Sequence, residues 1–178
     1  DRAALWQGSE AGFIANVASD HSPRVPAAKE PGRKNIFVDA EGKPIPFGAP
    51  SLETLVPLMW SEGVVKRGLP PTWMARVLAE NPARIFGLYP RKGAIRIGAD
   101  ADLTIWDPAP EWTIEKTKHL GIAGFTPYEG WQVRGRPYMT LVRGQVVLNP
   151  RGEIEQKPGY GRYLARTSPQ PPLSGSVR

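Results

Sequence analysis

The sequence has no cysteine and only two histidines in 178 residues. Without cysteine there can be no disulfide framework and no metal site built on thiolates, and this composition favours a cytoplasmic protein. No apolar run approaches the ~18 residues that a membrane-spanning helix needs. The first residues also lack the charged-then-apolar pattern of a secretion signal. These absences favour a globular protein that does not act at or across a membrane.

The residues that are abundant point to many short elements. There are 20 prolines and 19 glycines, which favour frequent turns over a helical bundle. The 23 Lys and Arg residues exceed the 17 Asp and Glu residues and give a net charge of +6. These basic residues are scattered over predicted turns and form no helical stripe, which argues against a nucleic-acid partner. At 178 residues the chain is long enough for one domain with a sizeable core, and its 40% hydrophobic content is typical of a globular protein.

The first third of the chain is predicted to hold a helix, a strand and a long loop. Residues 1–7 favour a helix, and the chain begins in the middle of this element, as expected of a fragment. The apolar run 13–19, bounded by Gly12 and by a turn, predicts a buried, parallel strand. Residues 23–50 are rich in proline and predict a long loop.

Three helices are predicted next. Ser51 offers an N-cap for a helix over 52–60, with Glu53 in its first turn. A second helix begins at Pro71 or Thr72 and runs to residue 80. A third, short helix is predicted for residues 81–87, where glycine ends it.

The last part of the chain is predicted to form a small antiparallel sheet and a tail. The dipeptide Arg143-Gly144 predicts a tight hairpin. The tail 165–178 is polar and rich in proline, so it should be disordered or draped along a surface. Short β-rich runs separated by glycine, aspartate or proline predict strands at 94–97, 103–106, 139–142 and 145–148.

Asp20 is the strongest candidate for a chemical role. It directly follows the apolar run 13–19 and opens the loop. In a (β/α)8 barrel, the carboxyl ends of the strands carry the catalytic groups. A carboxylate there can bind a divalent metal and take a proton from water. The alternative is a structural aspartate in an Asx-turn or at a helix cap.

The two histidines give a weaker signal. His21 could be a metal ligand or a substrate contact, but a histidine beside a turn is more often a hydrogen-bonded structural residue. His119 has no partner at the spacing of a metal site, which indicates a solvated side chain.

Motifs such as Val17-Ala-Ser-Asp-His-Ser-Pro23, Asn81-Pro-Ala-Arg-Ile-Phe-Gly87 and Thr126-Pro-Tyr-Glu-Gly130 follow one another along the chain, in uninterrupted order from about residue 1 to 164. Together they resemble the motifs of the cyclic amidohydrolases: hydantoinases, dihydropyrimidinases and allantoinases. Val17-Ala-Ser-Asp-His-Ser-Pro23 resembles the end of the eighth barrel strand of that family. The segment from Asn81 to Leu103 is similar to the passage from the last barrel helix into the closing β-domain. Later segments resemble the family's remaining strands and its closing segment: Thr126-Pro-Tyr-Glu-Gly130, Thr140-Leu-Val-Arg-Gly-Gln-Val-Val147 and Pro158-Gly-Tyr-Gly-Arg-Tyr-Leu164.

The resemblance implies an α/β fold. Residues 1–90 would be the last strand and helices of a (β/α)8 barrel with an active-site loop. Residues 91–164 would be the C-terminal part of a small β-sandwich, and 165–178 the tail. The full-length protein would be a homo-oligomeric enzyme that hydrolyses the amide bond of a hydantoin, dihydropyrimidine or allantoin ring.

The resemblance also implies roles for particular residues. Asp20 would bind one of two divalent metal ions, zinc in most members, and move a proton to the leaving nitrogen. Phe47, Gly48 and Ala49 would correspond to the segment whose backbone faces the substrate ring. The family's metal site needs four histidines and a carboxylated lysine besides the aspartate, and two histidines cannot supply them. The remaining ligands are therefore absent from this chain, which we expect to be inactive by itself.

Two other interpretations compete with the enzyme. The chain could belong to a non-catalytic relative that keeps the scaffold as an assembly or interaction protein. It could also be an unrelated α+β domain with accidental matches, although motifs that recur in order across segments of different composition argue against accident.

Overall fold

The computed structural model describes residues 1–174 and divides into two compact units. Unit 1 combines Asp1–Val17, Met59–Pro110 and the chain from Arg134 onward. Unit 2 combines Ala18–Leu58 and Glu111–Val133. Each unit is therefore assembled from segments that lie far apart in the sequence.

The helices are short, as the density of proline and glycine predicts. Two of the three helices predicted after the loop contain π-helical turns. The first continues to residue 67, and the second and third run on without a break. No helix within residues 1–174 has the length and apolar character needed to cross a membrane. The helical segments are α1 (Arg2–Glu10), α2 (Pro26–Lys29) with a 3-10 turn (Glu30–Arg33), α3 (Leu52–Leu58) with a π-helical segment (Met59–Val65), α4 (Pro71–Ala75) with a π-helical segment (Arg76–Glu80), and α5 (Asn81–Ile85).

Unit 1 is built around Trp73, which is 1% exposed. Its indole nitrogen donates to the Ser9 hydroxyl at 3.1 Å, so a buried polar atom of α4 is satisfied by α1. The ring centroid of Trp6 lies 5.7 Å from that of Trp73. Gly63 fits beneath the same ring, where a Cβ atom would lie 2.6 Å from it. Val77, fully buried one turn later, extends this predicted apolar face.

The sheet has three strands in the order β1 (Leu103–Thr113), β2 (Gln132–Val142) and β3 (Gln145–Leu148). Strands β2 and β3 are antiparallel and pair Val142 with Gln145. The predicted hairpin is confirmed: Arg143 and Gly144 have φ angles of 50° and 75°, as a tight turn with two left-handed residues requires. The fold is thus α/β with a small antiparallel sheet, and β1 and β2 extend well beyond the predicted runs.

Two predicted strands are wrong. Residues 13–19 form no strand, and Phe13 is 89% exposed. Residues 94–97 also form no strand, and Ile95 and Ile97 are 90% and 101% exposed. A strand exists only where a second strand supplies ladder hydrogen bonds, and no described strand runs beside either segment. Apolar composition alone could not reveal that.

Unit 2 has a smaller core. Ile114 and Ala123 are 0% and 2% exposed, and Ile45 from the long loop is 7% exposed. Gly32 lies against Ile45, where a Cβ atom would approach to 2.9 Å. The proline-rich segment 23–50 is therefore an ordered loop that contributes a core residue.

The described part of the tail lies along α5. The amide of Thr167 donates to Gly87 O at 2.8 Å, and the amide of Gln170 donates to Arg84 O at 2.8 Å. The buried Asn81 side chain accepts from the Leu173 amide at 2.8 Å. The tail is thus draped along unit 1 as far as residue 174, and its last four residues lie outside the described part of the chain.

Candidate active site

Asp20 lies in unit 2 with an exposed side chain and a left-handed backbone, φ 47°. No residue in the range 1–174 donates a hydrogen bond to its carboxylate. The Asp20 side chain therefore does not form the Asx-turn that was the structural alternative to a chemical role. Asp39, in the same unit, shows what such a turn requires, since its Oδ1 accepts from the amides of Glu41 and Lys43 at 3.1 and 2.8 Å. The Asp20 carboxylate is therefore available to an external ligand.

The two residues that flank Asp20 are bound to one point, the start of α3. His21 Nδ1 accepts from the amides of Ser51 and Leu52, both at 3.1 Å. The Ser51 hydroxyl donates to Ser19 O at 2.5 Å, and the His21 amide donates to Ser19 Oγ at 3.3 Å. The turn that carries Asp20 is thus fixed on both sides while its carboxylate is left unengaged.

Ser51 stands at the N-cap position as predicted, since its carbonyl accepts from the Leu55 amide at 3.0 Å. Its hydroxyl does not cap the helix, however, because it donates to Ser19 instead. The His21 imidazole accepts the first orphan amides in its place. A histidine 30 residues away in the sequence therefore does what a local hydroxyl was expected to do.

Glu53 was expected only to complement the helix dipole. Its carboxylate accepts from the Leu120 amide at 3.1 Å and from the Gly121 amide at 3.2 Å. The start of α3 therefore anchors a second loop of unit 2. Leu120 is 81% exposed and Ile122 is 68% exposed on that loop.

The segment Phe47–Ala49 lies beside the Asp20 turn. Ala49 O accepts from the Ser22 amide at 3.2 Å, and His21 and Ala49 form an isolated parallel bridge. Gly48 has φ 117° and packs against Ser22, where a Cβ atom would lie 2.6 Å from the serine Cβ. Only glycine fits there without displacing the Ser22 backbone. The structure thus places Gly48 and Ala49, two of the three residues predicted to face a substrate, against the turn that carries Asp20.

Phe47 itself is 59% exposed and meets Phe37 edge to face, with ring centroids 6.1 Å apart. Lys29 Nζ donates to Pro46 O at 3.5 Å, one residue before Phe47. Phe47 therefore presents an exposed aromatic side chain directly after a backbone carbonyl group, that of Pro46, which Lys29 binds.

The donor set for a metal ion is incomplete. Residues 1–174 contain no group of three or more His, Asp or Glu side chains that could hold an ion. An unengaged carboxylate fits the chemistry of one ligand to a divalent cation. Asp20 therefore fits a single ligand position, and the described residues do not build a complete site.

A cavity of about 600 Å³ lies in unit 1, and none of the described residues that line it is a predicted site residue. It is lined in part by Trp6, Glu62 and Arg67. Burial opposes the ionisation of Glu62, but hydrogen bonds and charges from Lys66 and Arg67 outweigh it and lower the pKa of Glu62. Arg67 also stacks 4.3 Å from the Trp6 ring. Glu62 and Arg67 are thus bound to each other, whereas the Asp20 carboxylate is unengaged, so the Asp20 turn remains the stronger candidate.

The comparisons with known proteins agree with the motifs. The sequence profile described as "Amidohydrolase family" matches residues 1–147. An L-hydantoinase from Paenarthrobacter aurescens is 35% identical over 162 residues, which are 91% of this chain and 34% of that protein. A dihydroorotase from Pyrococcus furiosus is 38% identical over 170 residues, which are 91% of this chain and 36% of that protein.

The fold agrees as well. A solved D-hydantoinase from a Bacillus species matches with a TM-score of 0.86 at 30% identity, over 96% of this chain and 36% of that one. The chain spans about a third of the length of the curated relatives it matches. Because the family profile covers most of the sequence and solved relatives share its fold, the chain belongs to the amidohydrolase family.

Proposed function

We propose that the longer protein containing this chain hydrolyses the amide bond of a cyclic amide, and that Asp20 is its catalytic carboxylate. The observation that carries the proposal is the Asp20 turn: both flanking residues are held, and the carboxylate has no partner within residues 1–174. The relatives named hydantoinase and dihydroorotase support a cyclic amide as the substrate class. Hydantoin, dihydropyrimidine and allantoin rings are the candidates.

Hydrolysis needs a proton to leave the attacking water and reach the departing nitrogen. An aspartate can perform both transfers, provided that its oxygens are not tied up in structural hydrogen bonds. Asp20 Oδ1 and Oδ2 meet that condition. In our proposal one carboxylate oxygen takes the proton of the water and then delivers it to the ring nitrogen, and the other oxygen binds a metal ion.

Amidohydrolases are generally metal-dependent. In our proposal two divalent ions, zinc by family resemblance, are bound chiefly by residues outside this chain, with Asp20 as a ligand. When bound, such ions polarise the scissile carbonyl group. Because the described residues offer one ligand and no complete site, this chain alone should be inactive.

Phe47, Gly48 and Ala49 are proposed to border the substrate. The Gly48 backbone approaches Ser22 closely, and Ala49 is bound to the same turn that carries Asp20. Peptide groups fixed in this way can bind the polar edge of a flat ring without reorganising. The exposed Phe47 side chain would meet the substituent on the ring.

We further propose the architecture and setting that the motifs imply. Residues 1–90 would complete a (β/α)8 barrel, 91–164 a β-sandwich shared with the other chain end, and 165–178 its tail. The cysteine-free composition supports a cytoplasmic enzyme. A homo-oligomer would be the functional form.

The test is a substrate panel on the full-length protein, with metal content measured on the same preparation. Hydantoin, dihydrouracil, allantoin and dihydroorotate would each be assayed for ring opening. We expect bound divalent metal and hydrolysis of at least one ring. A folded, metal-free protein that opens none of them would overturn the proposal and favour the non-catalytic scaffold.

A further inference from the structure

We propose that His21 is a positioning residue: its Nδ1 ties the Asp20 turn to the start of α3, and it is not a metal ligand. The inference rests on the proposed function, because it assigns His21 a role toward the carboxylate placed at the centre of that reaction. The sequence alone left open a ligand, a substrate contact or a structural residue. The two hydrogen bonds that Nδ1 accepts distinguish these roles.

Nδ1 is the nitrogen of the His21 ring that accepts hydrogen bonds. His21 Nδ1 lies 3.1 Å from the amide nitrogens of both Ser51 and Leu52. Both amides are donors, so Nδ1 presents its lone pair to them, and the proton of the neutral ring is on Nε2. A metal ion needs a ring nitrogen with a free lone pair. Neither nitrogen of His21 offers one while these two hydrogen bonds exist.

Metal binding at Nε2 would require the other tautomer. The proton would then sit on Nδ1 and point at the amide hydrogens of Ser51 and Leu52. Both hydrogen bonds would be lost, and the amides of the N-cap residue Ser51 and of Leu52 would have no acceptor. The observed geometry therefore favours a structural bond at Nδ1 over a coordination bond at either nitrogen.

The hydrogen bonds of Ser51 hold the backbone on both sides of Asp20. Ser51 is bound to both neighbours of Asp20, since its amide donates to His21 and its hydroxyl donates to Ser19 O at 2.5 Å. The Asp20 backbone between them has φ 47°, a conformation that costs free energy for a residue with a Cβ atom. The clamp formed by Ser19, His21 and Ser51 keeps Asp20 in that conformation. It thereby fixes the direction in which the carboxylate leaves the backbone.

Two substitutions separate the roles of the ring nitrogens. In His21→Asn, the amide oxygen occupies the place of Nδ1, the same number of bonds from Cβ, and nothing replaces Nε2. In His21→Gln, the polar group reaches the place of Nε2, and no acceptor remains at the place of Nδ1. The matched control is His119→Asn, a change of the second histidine of unit 2, to which we assign no role.

The experiment measures kcat, KM and metal content of the full-length, metal-loaded protein. We expect His21→Asn to keep kcat within about fivefold of the wild type. We expect His21→Gln to lower kcat by about 10²-fold, the effect of a reacting group displaced by about 1 Å, with KM and metal content little changed. Loss of metal in His21→Asn, or full activity in His21→Gln, would overturn the proposal. The His119→Asn variant should match the wild type.

Hydrogen exchange keeps this test separate from the proposed function. If the wild type opens no cyclic amide, the proposed function fails on its own, while the clamp is still measurable. The Ser51 and Leu52 amides should exchange slowly in the wild type and in His21→Asn and faster in His21→Gln. Equal exchange in all three proteins would contradict the clamp.

A further variant carries the test if His21→Gln does not fold. Ser51→Ala removes only the hydroxyl bond to Ser19 O and leaves the two amides bound to His21. A severalfold fall in kcat at unchanged KM is expected. An unchanged kcat would contradict a positioning role for the clamp.

Discussion

Two aspartates in different units of the molecule use their carboxylates in opposite ways. In unit 1, Asp102 Oδ1 accepts from the Arg143 amide at 2.8 Å, and Oδ2 pairs with Lys92. Lys92 also pairs with Asp100 at 3.0 Å. In unit 2, the Asp20 carboxylate has no such partner in the described chain, although the backbone around it is held on both sides.

The pKa shifts of Asp102 and Lys92 follow from the hydrogen bonds and ion pairs that these two residues make. Burial opposes the ionisation of Asp102, but the hydrogen bonds from Lys92 and from the Arg143 backbone outweigh it and lower the pKa of Asp102. Burial likewise opposes the charge on Lys92, yet the hydrogen bonds to both aspartates raise the pKa of Lys92. These groups stabilise the hairpin between β2 and β3. The held turn of Asp20 thus leaves its carboxylate open to an external ligand, whereas the carboxylate of Asp102 is used within the fold.

The largest expected effect comes from Asp20→Asn in the full-length protein. The change removes a charge and a proton acceptor but disturbs no observed hydrogen bond of the carboxylate. We expect kcat to fall by about 10³-fold, within the range for a lost general base, with the thermal unfolding temperature nearly unchanged. Cyclic-amide hydrolysis and thermal unfolding measured together would show this.

Asp39→Asn is the matched control. It makes the same chemical change in the same unit, at an aspartate whose Oδ1 is used in a turn. Because the asparagine oxygen can still accept those amides, activity should stay close to that of the wild type. If Asp20→Asn kept full activity, or if both variants lost it equally, the comparison between the two kinds of aspartate would be wrong.

The next effect is on stability, from Asp102→Ala. It removes the acceptor for the Arg143 amide and the partner of Lys92. Since the Asp102 side chain is 32% exposed, solvent screens the pair, and we expect a loss of about 1 kcal/mol in the free energy of unfolding. Urea denaturation would measure it.

The matched variant is Asp102→Asn, which keeps an oxygen for the Arg143 amide and loses only the ion pair. It should cost less than the alanine change. Catalytic activity should survive both variants once they are folded. Equal losses in the two variants would assign the stabilisation to the ion pair alone.

The smallest effect is a pH dependence of the same region. Because the folded-state pKa of Asp102 is lowered, its contribution is complete above the ordinary value of 3.8 and is lost as the pH falls through the folded value. Lys92 has a raised pKa, so its contribution is lost only as the pH rises beyond 10.5. The stability gap between wild type and Asp102→Asn should be constant from about pH 5 to 9 and shrink below 3.8. Denaturation curves at pH 7, 5 and 3 would reveal a gap that failed to shrink.

Much of the helical part could be predicted from local signals. Proline at the start of α4 and glycine after α5 mark helix ends whose fixed or left-handed φ angles are local properties. The hairpin at Arg143-Gly144 was predicted for the same reason. The runs 13–19 and 94–97 failed because strand formation depends on a partner strand, which a one-dimensional pattern does not contain.

The candidate site also has one part that the sequence indicated and another part that it could not indicate. The sequence pointed to Asp20 as a carboxylate after an apolar run, and to residues 47–49 through a resemblance. It could not show that His21 binds the Ser51 amide at the start of a helix. The two residues are 30 positions apart, and local sequence patterns do not indicate contacts over such a separation. A histidine beside a turn was the one available hint.

The family, the short helices, the tight hairpin and the residue types available for chemistry could all be inferred without a structure. These depend on local backbone preferences and on the order of motifs along one chain. Three features needed the three-dimensional fold: which apolar runs become strands, whether the oxygens of Asp20 are engaged, and which nitrogen of His21 accepts hydrogen bonds. Each of these depends on partners brought from distant parts of the chain, because hydrogen bonds and burial are satisfied in space rather than along the sequence.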